Sequence, residues 1–208
     1  MWASPQRYRI DRMDPARDKA ALLVVDVQEA AMAHRLYRAK ETVENIATLI
    51  DVCRSSDLEV IYVQHDGQPG EEDEPGSPGW QIHDPVAPAP GERIIRKTHN
   101  SAFRATELSA YLRAGGIGRL ILVGVQTEYC VDTTCRVAFD RGFEVIVPEG
   151  TNTTWDNGEV SARQIYELYN HRIFHGRFAN VLPLNEVLAA IRGGGRLVLD
   201  PHLPGDSA

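Results

Sequence analysis

The sequence has few cysteines, no long apolar run and no excess of positive charge. Its three cysteines, Cys53, Cys130 and Cys135, form no CxxC pair, and an odd count without a disulfide framework is typical of free thiols in a reducing cytoplasm. A formal net charge of −7 argues against nucleic acid as a partner, because such binding needs a basic surface. The apolar runs are too short to cross a bilayer, and the first ten residues lack the apolar core of a signal peptide. We therefore expect a cytoplasmic protein with neither a membrane nor a nucleic-acid partner.

The chain has 208 residues, of which 43% are hydrophobic, which is enough for one α/β-sized domain with a large core. Apolar runs rich in β-branched residues alternate with amphipathic stretches. The predicted strands cover 20–27, 58–64, 92–97, 120–125, 143–147 and 178–182, and the main predicted helices cover 39–55, 106–114, 160–172 and 185–191. About six strands joined by crossover helices predict a mostly parallel, doubly wound α/β sheet.

We find no internal repeat and predict a single folded unit at 20–192, with an N-terminal arm at 1–19 and an edge strand or tail at 193–208. The stretch 66–91 is rich in Gly, Pro and acidic residues. A loop of this length in a compact domain is a lid, a binding loop or a disordered segment. Trp80 in this loop either lines a pocket or holds the loop down, and the acidic residues hint at a neutral or cationic ligand.

The most informative stretch is 120–147, which is typical of a strand, a tight turn, a helix and a second strand. Gly124 lets backbone approach closely at the strand end. Thr127 is predicted to cap a helix that Gly142 ends, which places Cys130 at the third helical position. A thiol there meets the positive end of the helix dipole, and such cysteines can have a pKa of about 3.5–7.5 against about 8.5 when free. Cys130 is therefore a candidate nucleophile beside amides able to hold an oxyanion, the alternative being a small buried residue.

Two charged residues also lie at the ends of predicted strands. Asp26 ends the first strand, and an aspartate there is costly to bury unless it has a partner or a function. Lys97 ends the third strand, where a lysine alone is typical of a surface. Because parallel strands direct their carboxyl ends to the same edge of a sheet, Asp26, Lys97 and Cys130 are expected to converge there. Cys53 and Cys135 fall on core-facing helix positions and are predicted to be packing residues.

These residues resemble the isochorismatase-like cysteine hydrolases, a superfamily that includes nicotinamidases and N-carbamoylsarcosine amidohydrolase. The matching motifs are Leu-Val-Val-Asp26-Val-Gln, Lys97 with Ser-Ala-Phe at 101–103, and Gly-Val-Gln-Thr-Glu-Tyr-Cys130-Val-Asp-Thr-Thr. The resemblance extends from about residue 20 to about residue 182. It implies a three-layer α/β/α fold and an Asp26–Lys97–Cys130 triad. It also implies a non-proline cis peptide at Val125–Gln126, which would aim the amides of Gln126 and Cys130 into one oxyanion hole.

The activity implied by the resemblance is hydrolysis of a C–N bond, amide or ureide, in a small molecule through a thioester on Cys130. The family needs no cofactor for this chemistry, and it is commonly homo-oligomeric. Residues near the strand ends are candidates for contact with the substrate. These candidates are His65, Trp80, Gln126, Tyr129 and Thr153.

The sequence also departs from its relatives. Metal-dependent nicotinamidases carry an Asp-x-His pair after the second strand, which the stretch 64–67 lacks, so we predict no metal; the alternative ligand set is His65, Asp66 and His83. The family's aromatic residue after Asp-x-Gln is replaced by Ala30 and Ala31, which leaves that pocket wall open or filled from elsewhere. Two other functions stay open: vinyl-ether hydrolysis, which would not need Cys130, and a thiol-sensing or binding role, which would not need a proton shuttle.

Overall fold

A computed structural model describes residues 19–194, so the predicted arm and terminal edge strand at 1–18 and 195–208 lie outside the described residues. The strands are β1 (Lys19–Val25), β2 (Glu59–His65), β3 (Arg93–Lys97), β4 (Ile117–Val125), β5 (Glu144–Pro148), β6 (Asn152–Thr153) and β7 (Asn180–Leu182). The α-helices are α1 (Glu29–Met32), α2 (Ala39–Ser55), α3 (Leu108–Ala114), α4 (Asp132–Asp140), α5 (Ala162–Leu168) and α6 (Leu184–Arg192). Two π-helical turns, π1 (Thr127–Val131) and π2 (Tyr169–Phe174), lead into α4 and follow α5.

The sheet is open and its strand pairs are parallel. Its order is β3-β2-β1-β4-β5-β7, and β6 pairs with the end of β4. The chain winds outward from β1 through β2 to β3 and then returns to β4 on the other side of β1. The strand order therefore reverses between β1 and β4, which is where ligands bind in sheets of this kind. The six predicted strands are confirmed, and the seventh, β6, has only two residues.

Helices cover both faces of the sheet because residues along β1 alternate between two cores. Leu22 and Val24 pack with α2 and α6, and Leu23 and Val25 pack with α3 and α4. This arrangement confirms the predicted α/β fold with its mostly parallel sheet. Cys53 of α2 and Cys135 of α4 are buried in these two cores, as predicted. Among residues 19–194, no helix combines the length and the hydropathy needed to cross a bilayer.

Two helices begin or end where the sequence did not predict. The helix predicted over 160–172 is split into α5 and π2. Its start follows a capping box in which the Ser161 hydroxyl and the Gln164 side chain exchange hydrogen bonds with each other's backbone. The helix predicted from Thr106 begins at Leu108 with Glu107 at the cap. The Thr106 hydroxyl donates to the Ala102 carbonyl at 2.6 Å and accepts from the Leu108 amide at 3.4 Å, so it contacts the helix start from just outside it.

The loop 66–91 packs against the first residues after β1. The amides of Glu29 and Ala30 donate to the carbonyls of Gln81 and Gly79, each at 2.9 Å. A Cβ placed on Gly79 would lie 3.1 Å from the Ala30 side chain, so two small residues meet here. Of the two alternatives for the wall at Ala30 and Ala31, open or filled from elsewhere, the packing of this loop supports the second.

Candidate active site

The structure brings Asp26, Lys97 and Cys130 together at the carboxyl edge of the sheet. Lys97 Nζ lies 2.5 Å from Asp26 Oδ2 and 3.4 Å from Cys130 Sγ. Asp26 directly follows β1, Lys97 is the last residue of β3, and Cys130 lies in π1 after β4. The Lys97 side chain has no exposed surface and that of Asp26 is 10% exposed, so the ion pair is enclosed. Asp26 adopts a left-handed backbone conformation with φ of 50°, which is uncommon for a non-glycine residue.

Burial and neighbouring charges together shift the pKa values of Lys97 and Cys130. Burial alone would lower the pKa of Lys97, but the Asp26 carboxylate and the Cys130 sulfur raise it above the ordinary value. Burial raises the pKa of the Cys130 thiol to about 12; the Asp26 carboxylate adds to this rise and Lys97 opposes it. The resting cluster therefore holds the Lys97 ammonium beside a protonated Cys130 thiol.

This protonation state corrects the prediction of a lowered pKa for Cys130. The prediction rested on the dipole of an α-helix, but the cysteine lies in the π-helical turn π1 and is largely enclosed. Thr127 does not cap this turn, since Gln126 holds the cap position without a side-chain bond. The Thr127 hydroxyl instead donates to Asn152 Oδ1 at 2.8 Å, and Asn152 exchanges two hydrogen bonds with Asn170 of π2.

One oxygen of the aspartate is left free. Asp26 Oδ1 is buried and has no hydrogen-bond partner among the described residues, while Oδ2 is held by Lys97. Buried polar atoms are normally hydrogen-bonded, so an oxygen without a donor needs an explanation, and a part in catalysis is one. The Asp26 carboxylate also interacts with the Cys130 thiol and raises its pKa. The peptide bond between Val125 and Gln126 is cis, as the resemblance implied.

The five candidate substrate residues fall into different environments. His65 lies against the cluster, with Nδ1 at 3.2 Å from Lys97 Nζ. Trp80 is a loop anchor, because its indole N–H donates to Asp66 Oδ1 at 2.9 Å and its carbonyl accepts from Gln64 at 2.8 Å. Tyr129 is 42% exposed, and its hydroxyl accepts from Asn157.

The other two candidates are engaged within the protein. Thr153 is buried, and its hydroxyl donates to the Tyr37 carbonyl at 2.5 Å. The Gln126 side chain donates to Glu128 Oε1 at 3.3 Å and to the Thr154 hydroxyl at 3.1 Å. Of the five candidates, His65 is the one whose side chain has a polar contact with the cluster.

The alternative metal ligands are not assembled. Asp66 binds Arg96 and Trp80, His83 Nδ1 lies 2.9 Å from Glu29 Oε1, and His65 faces Lys97. Across residues 19–194, the side chains form no group of three His, Cys, Asp or Glu that could hold a metal ion.

Two residues near the site were given no role by sequence reasoning. The Gln28 carboxamide accepts from the His65 amide at 2.7 Å and donates to the His65 carbonyl at 3.0 Å. Its position two residues after Asp26 was visible in the Asp-x-Gln motif, but its partner lies on another strand. Glu128 has one buried oxygen without a partner among the described residues, and burial raises the pKa of its carboxyl.

Two open surface clefts lie away from the cluster. A cleft of about 570 Å³ lies beside the start of α2 and α6 and contains Arg38, Asn45 and Tyr166. A second of about 620 Å³ lies next to the edge strand β3 and contains Arg54, Glu59 and Tyr111. Neither includes a member of the Asp26 cluster, so the candidate site depends on the buried cluster itself.

An open parallel sheet that carries an aspartate, a lysine and a cysteine together at its carboxyl edge is typical of one group of α/β enzymes. Residues 20–162 match the model of the isochorismatase domain. The chain belongs to the isochorismatase family.

The chain is similar to several named members of this family. A streptothricin hydrolase from Streptomyces noursei is 39% identical over 138 residues, which cover 65% of this chain and 50% of the relative. The chain thus spans about half the length of the streptothricin hydrolases that it matches. A ureidoacrylate amidohydrolase from Agrobacterium fabrum is 30% identical over 173 residues, covering 64% of this chain and 76% of that protein. A solved structure of an isochorismatase family protein from Chromobacterium violaceum superposes with a TM-score of 0.79 at 30% identity, covering 88% of this chain and 100% of the other.

Proposed function

We propose that this chain is a cysteine-dependent hydrolase that cleaves the C–N bond of an amide or ureide in a small molecule. The observation that carries the proposal is the single buried ammonium of Lys97, which contacts both the Asp26 carboxylate at 2.5 Å and the Cys130 sulfur at 3.4 Å. Relatives named as a streptothricin hydrolase and a ureidoacrylate amidohydrolase support this class of reaction.

The first half-reaction forms a thioester. Asp26 Oδ1 takes the thiol proton while the Cys130 sulfur attacks the substrate carbonyl carbon. The carbonyl electron pair moves to its oxygen, which the backbone amides of Gln126 and Cys130 hold. The C–N bond then breaks, and Asp26 gives its proton to the departing nitrogen. Lys97 keeps its charge throughout and compensates first the carboxylate and then the thiolate.

The second half-reaction consumes one water. Asp26 takes a proton from the water as its oxygen attacks the thioester carbon. The C–S bond breaks, the sulfur recovers the proton from Asp26, and the acid is released. The sum is one amide and one water giving one acid and one amine; a ureide gives a carbamic acid in place of the acid.

The protonation state supports a hydrolase over a thiol sensor. A sensor cysteine needs a low pKa in order to react unaided. Burial raises the pKa of the Cys130 thiol to about 12, so this thiol needs a neighbouring base, and Asp26 supplies one. The placement of Asp26 and Lys97 around the Cys130 sulfur also argues against vinyl-ether hydrolysis, because that reaction does not use the sulfur.

The test is a screen of small amides and ureides with the full chain, followed by rapid quench and intact mass measurement. We expect an acyl adduct on Cys130, and a loss of kcat/KM of about 10³-fold or more in both Cys130→Ala and Asp26→Asn. Cys135→Ala is a matched control, because that thiol is buried in the core and away from the cluster. Amide or ureide hydrolysis that survives Cys130→Ala would exclude the thioester on Cys130, and a fully active Asp26→Asn would exclude the proton shuttle.

We further propose that the protein works in the cytoplasm without a cofactor and as a homo-oligomer. The cysteines are all free, which fits a reducing compartment. Light scattering on a size-exclusion column measures the assembly, and a monomeric mass at working concentration would contradict this part of the proposal.

A further inference from the structure

The Lys97 ammonium has a third contact that the proposed reaction does not use. An ammonium carries three N–H donors and no acceptor. Two of its contacts are Asp26 Oδ2 at 2.5 Å and Cys130 Sγ at 3.4 Å. The remaining one is His65 Nδ1 at 3.2 Å. Each of the three N–H groups of Lys97 therefore has one acceptor, and the His65 imidazole is the third.

This contact determines the form of the imidazole. The pKa of Lys97 is raised by its anionic neighbours, so Nζ keeps its proton and acts as the donor. His65 Nδ1 is then the acceptor of this hydrogen bond, which leaves Nε2 to carry the ring proton.

The backbone of His65 is fixed from two sides. In the sheet, His65 of β2 is paired in register with Lys97 of β3, and the Asp66 amide donates to the Lys97 carbonyl at 2.8 Å. From the other side, the Gln28 carboxamide accepts from the His65 amide at 2.7 Å and donates to its carbonyl at 3.0 Å. The imidazole is thus attached to a rigid support beside the ammonium, as a positioning group requires.

We propose that His65 is a positioning residue that acts through Lys97. Its Nδ1 holds the third N–H, and this fixes the ammonium between the carboxylate and the sulfur, where it lowers the cost of forming the thiolate. The inference rests on the proposed function for the task of Lys97, but the ionisation of Cys130 can be measured without substrate. The alternative is that His65 contacts substrate through Nε2 and does nothing for the thiolate.

Three substitutions separate these roles. His65→Asn places an amide oxygen near the position of Nδ1, His65→Gln places its polar group near Nε2, and His65→Leu has no acceptor. The readout is the rate of alkylation of Cys130 by iodoacetamide as a function of pH, followed by peptide mass. Cys53 and Cys135 are buried and serve as internal references in the same sample.

If His65 positions Lys97, the alkylation profiles of His65→Leu and His65→Gln shift to higher pH by about one unit, which is about tenfold slower labelling at a fixed pH. His65→Asn shifts by less than half as much. If His65→Leu does not fold, judged by circular dichroism, the comparison of His65→Asn with His65→Gln decides alone. Unmoved profiles in all folded variants would overturn the proposal, and a rise in KM without a profile shift would assign His65 to substrate contact. Should no amide or ureide be hydrolysed while the profiles still move, the proposed function fails and the positioning role stands.

Discussion

A lysine whose side chain is fully enclosed depends on its counter-ion. Lys97 has no exposed side-chain surface, and its partner Asp26 is 10% exposed. We expect Lys97→Met to lower the free energy of unfolding by about 3–5 kcal/mol, because it leaves a buried carboxylate uncompensated. The double variant Lys97→Met with Asp26→Asn should recover part of this loss, since the uncompensated charge is gone. Urea denaturation measures both, and a loss below about 1 kcal/mol in Lys97→Met would mean that the pair is solvated.

The Cys130 thiol should lose its proton only at high pH. Burial and the Asp26 carboxylate raise the pKa of Cys130 to about 12, so the thiolate fraction is small at neutral pH and grows as pH rises. Below that pKa each pH unit multiplies the thiolate fraction tenfold, so labelling of the free enzyme by iodoacetamide should rise about tenfold per unit from pH 7 to pH 9. A plateau reached below pH 8 would instead restore the low pKa expected for a cysteine at a helix start. Asp26→Asn should speed labelling at a fixed pH, because it removes the nearby negative charge.

At the residue scale, the sequence identified the cluster but not its protonation. Asp26, Lys97 and Cys130 were predictable because each lies at or shortly after the end of a predicted strand, and parallel strands bring such positions to one edge. The direction of the Cys130 pKa depends on how deeply the thiol is enclosed, which no local pattern reports. The roles of Gln28 and Thr153 depend on partners on distant segments, so they could not be inferred from spacing.

The end of strand β4 depends on a glycine that touches the neighbouring strand. Gly124 has φ of 130°, and a Cβ there would lie 2.0 Å from the Val25 carbonyl oxygen. Gly124→Ala should therefore lower the free energy of unfolding by about 3 kcal/mol or more, because the backbone of β1 or β4 must shift to make room for the Cβ. Val25 directly precedes Asp26, so we also expect kcat/KM to fall by more than the unfolded fraction explains.

Gly142 provides the matched control for this prediction. It also has a positive φ, of 82°, but no atom lies within 4 Å of a Cβ placed there. Gly142→Ala should lower the free energy of unfolding by only about 1–2 kcal/mol, the cost of placing a non-glycine residue in left-handed backbone, and should leave the site intact. Equal losses of stability in the two variants, measured by urea denaturation, would show that the close approach at Gly124 is unimportant.

At the element scale, the length of a strand or helix determined whether the sequence could predict it. The six longer strands were readable from segments rich in apolar and β-branched residues, whereas β6 has two residues and no pattern of its own. The π-helical turns at π1 and π2 follow no periodicity that distinguishes them from the α-helices they adjoin. The capping box at Ser161 and Gln164 was present in the sequence as Ser-x-x-Gln and would have placed the start of α5 correctly.

At the scale of the whole molecule, the candidate site joins two halves of one sheet. The β2–β3 half carries Lys97, the β4–β5 half leads to Cys130, and β1, which carries Asp26 at its end, pairs with both β2 and β4. Any separation of the halves must therefore dismantle the cluster. The two described tryptophans report on different regions, since Trp80 contacts Asp66 after β2 and Trp155 stacks on His34 at 4.2 Å.

We therefore expect one cooperative transition in urea. In a Trp2→Phe background, the variants Trp80→Phe and Trp155→Phe should give fluorescence midpoints that agree with each other and with far-UV circular dichroism. The rate of Cys130-dependent hydrolysis, or of Cys130 alkylation where no substrate is known, should change at the same urea concentration. A loss of hydrolysis, or a rise in Cys130 alkylation, well before either fluorescence change would show that the cluster rests on a local segment that opens independently of the core. Coincidence of all four signals would show that the core of the sheet and the site share one folding unit.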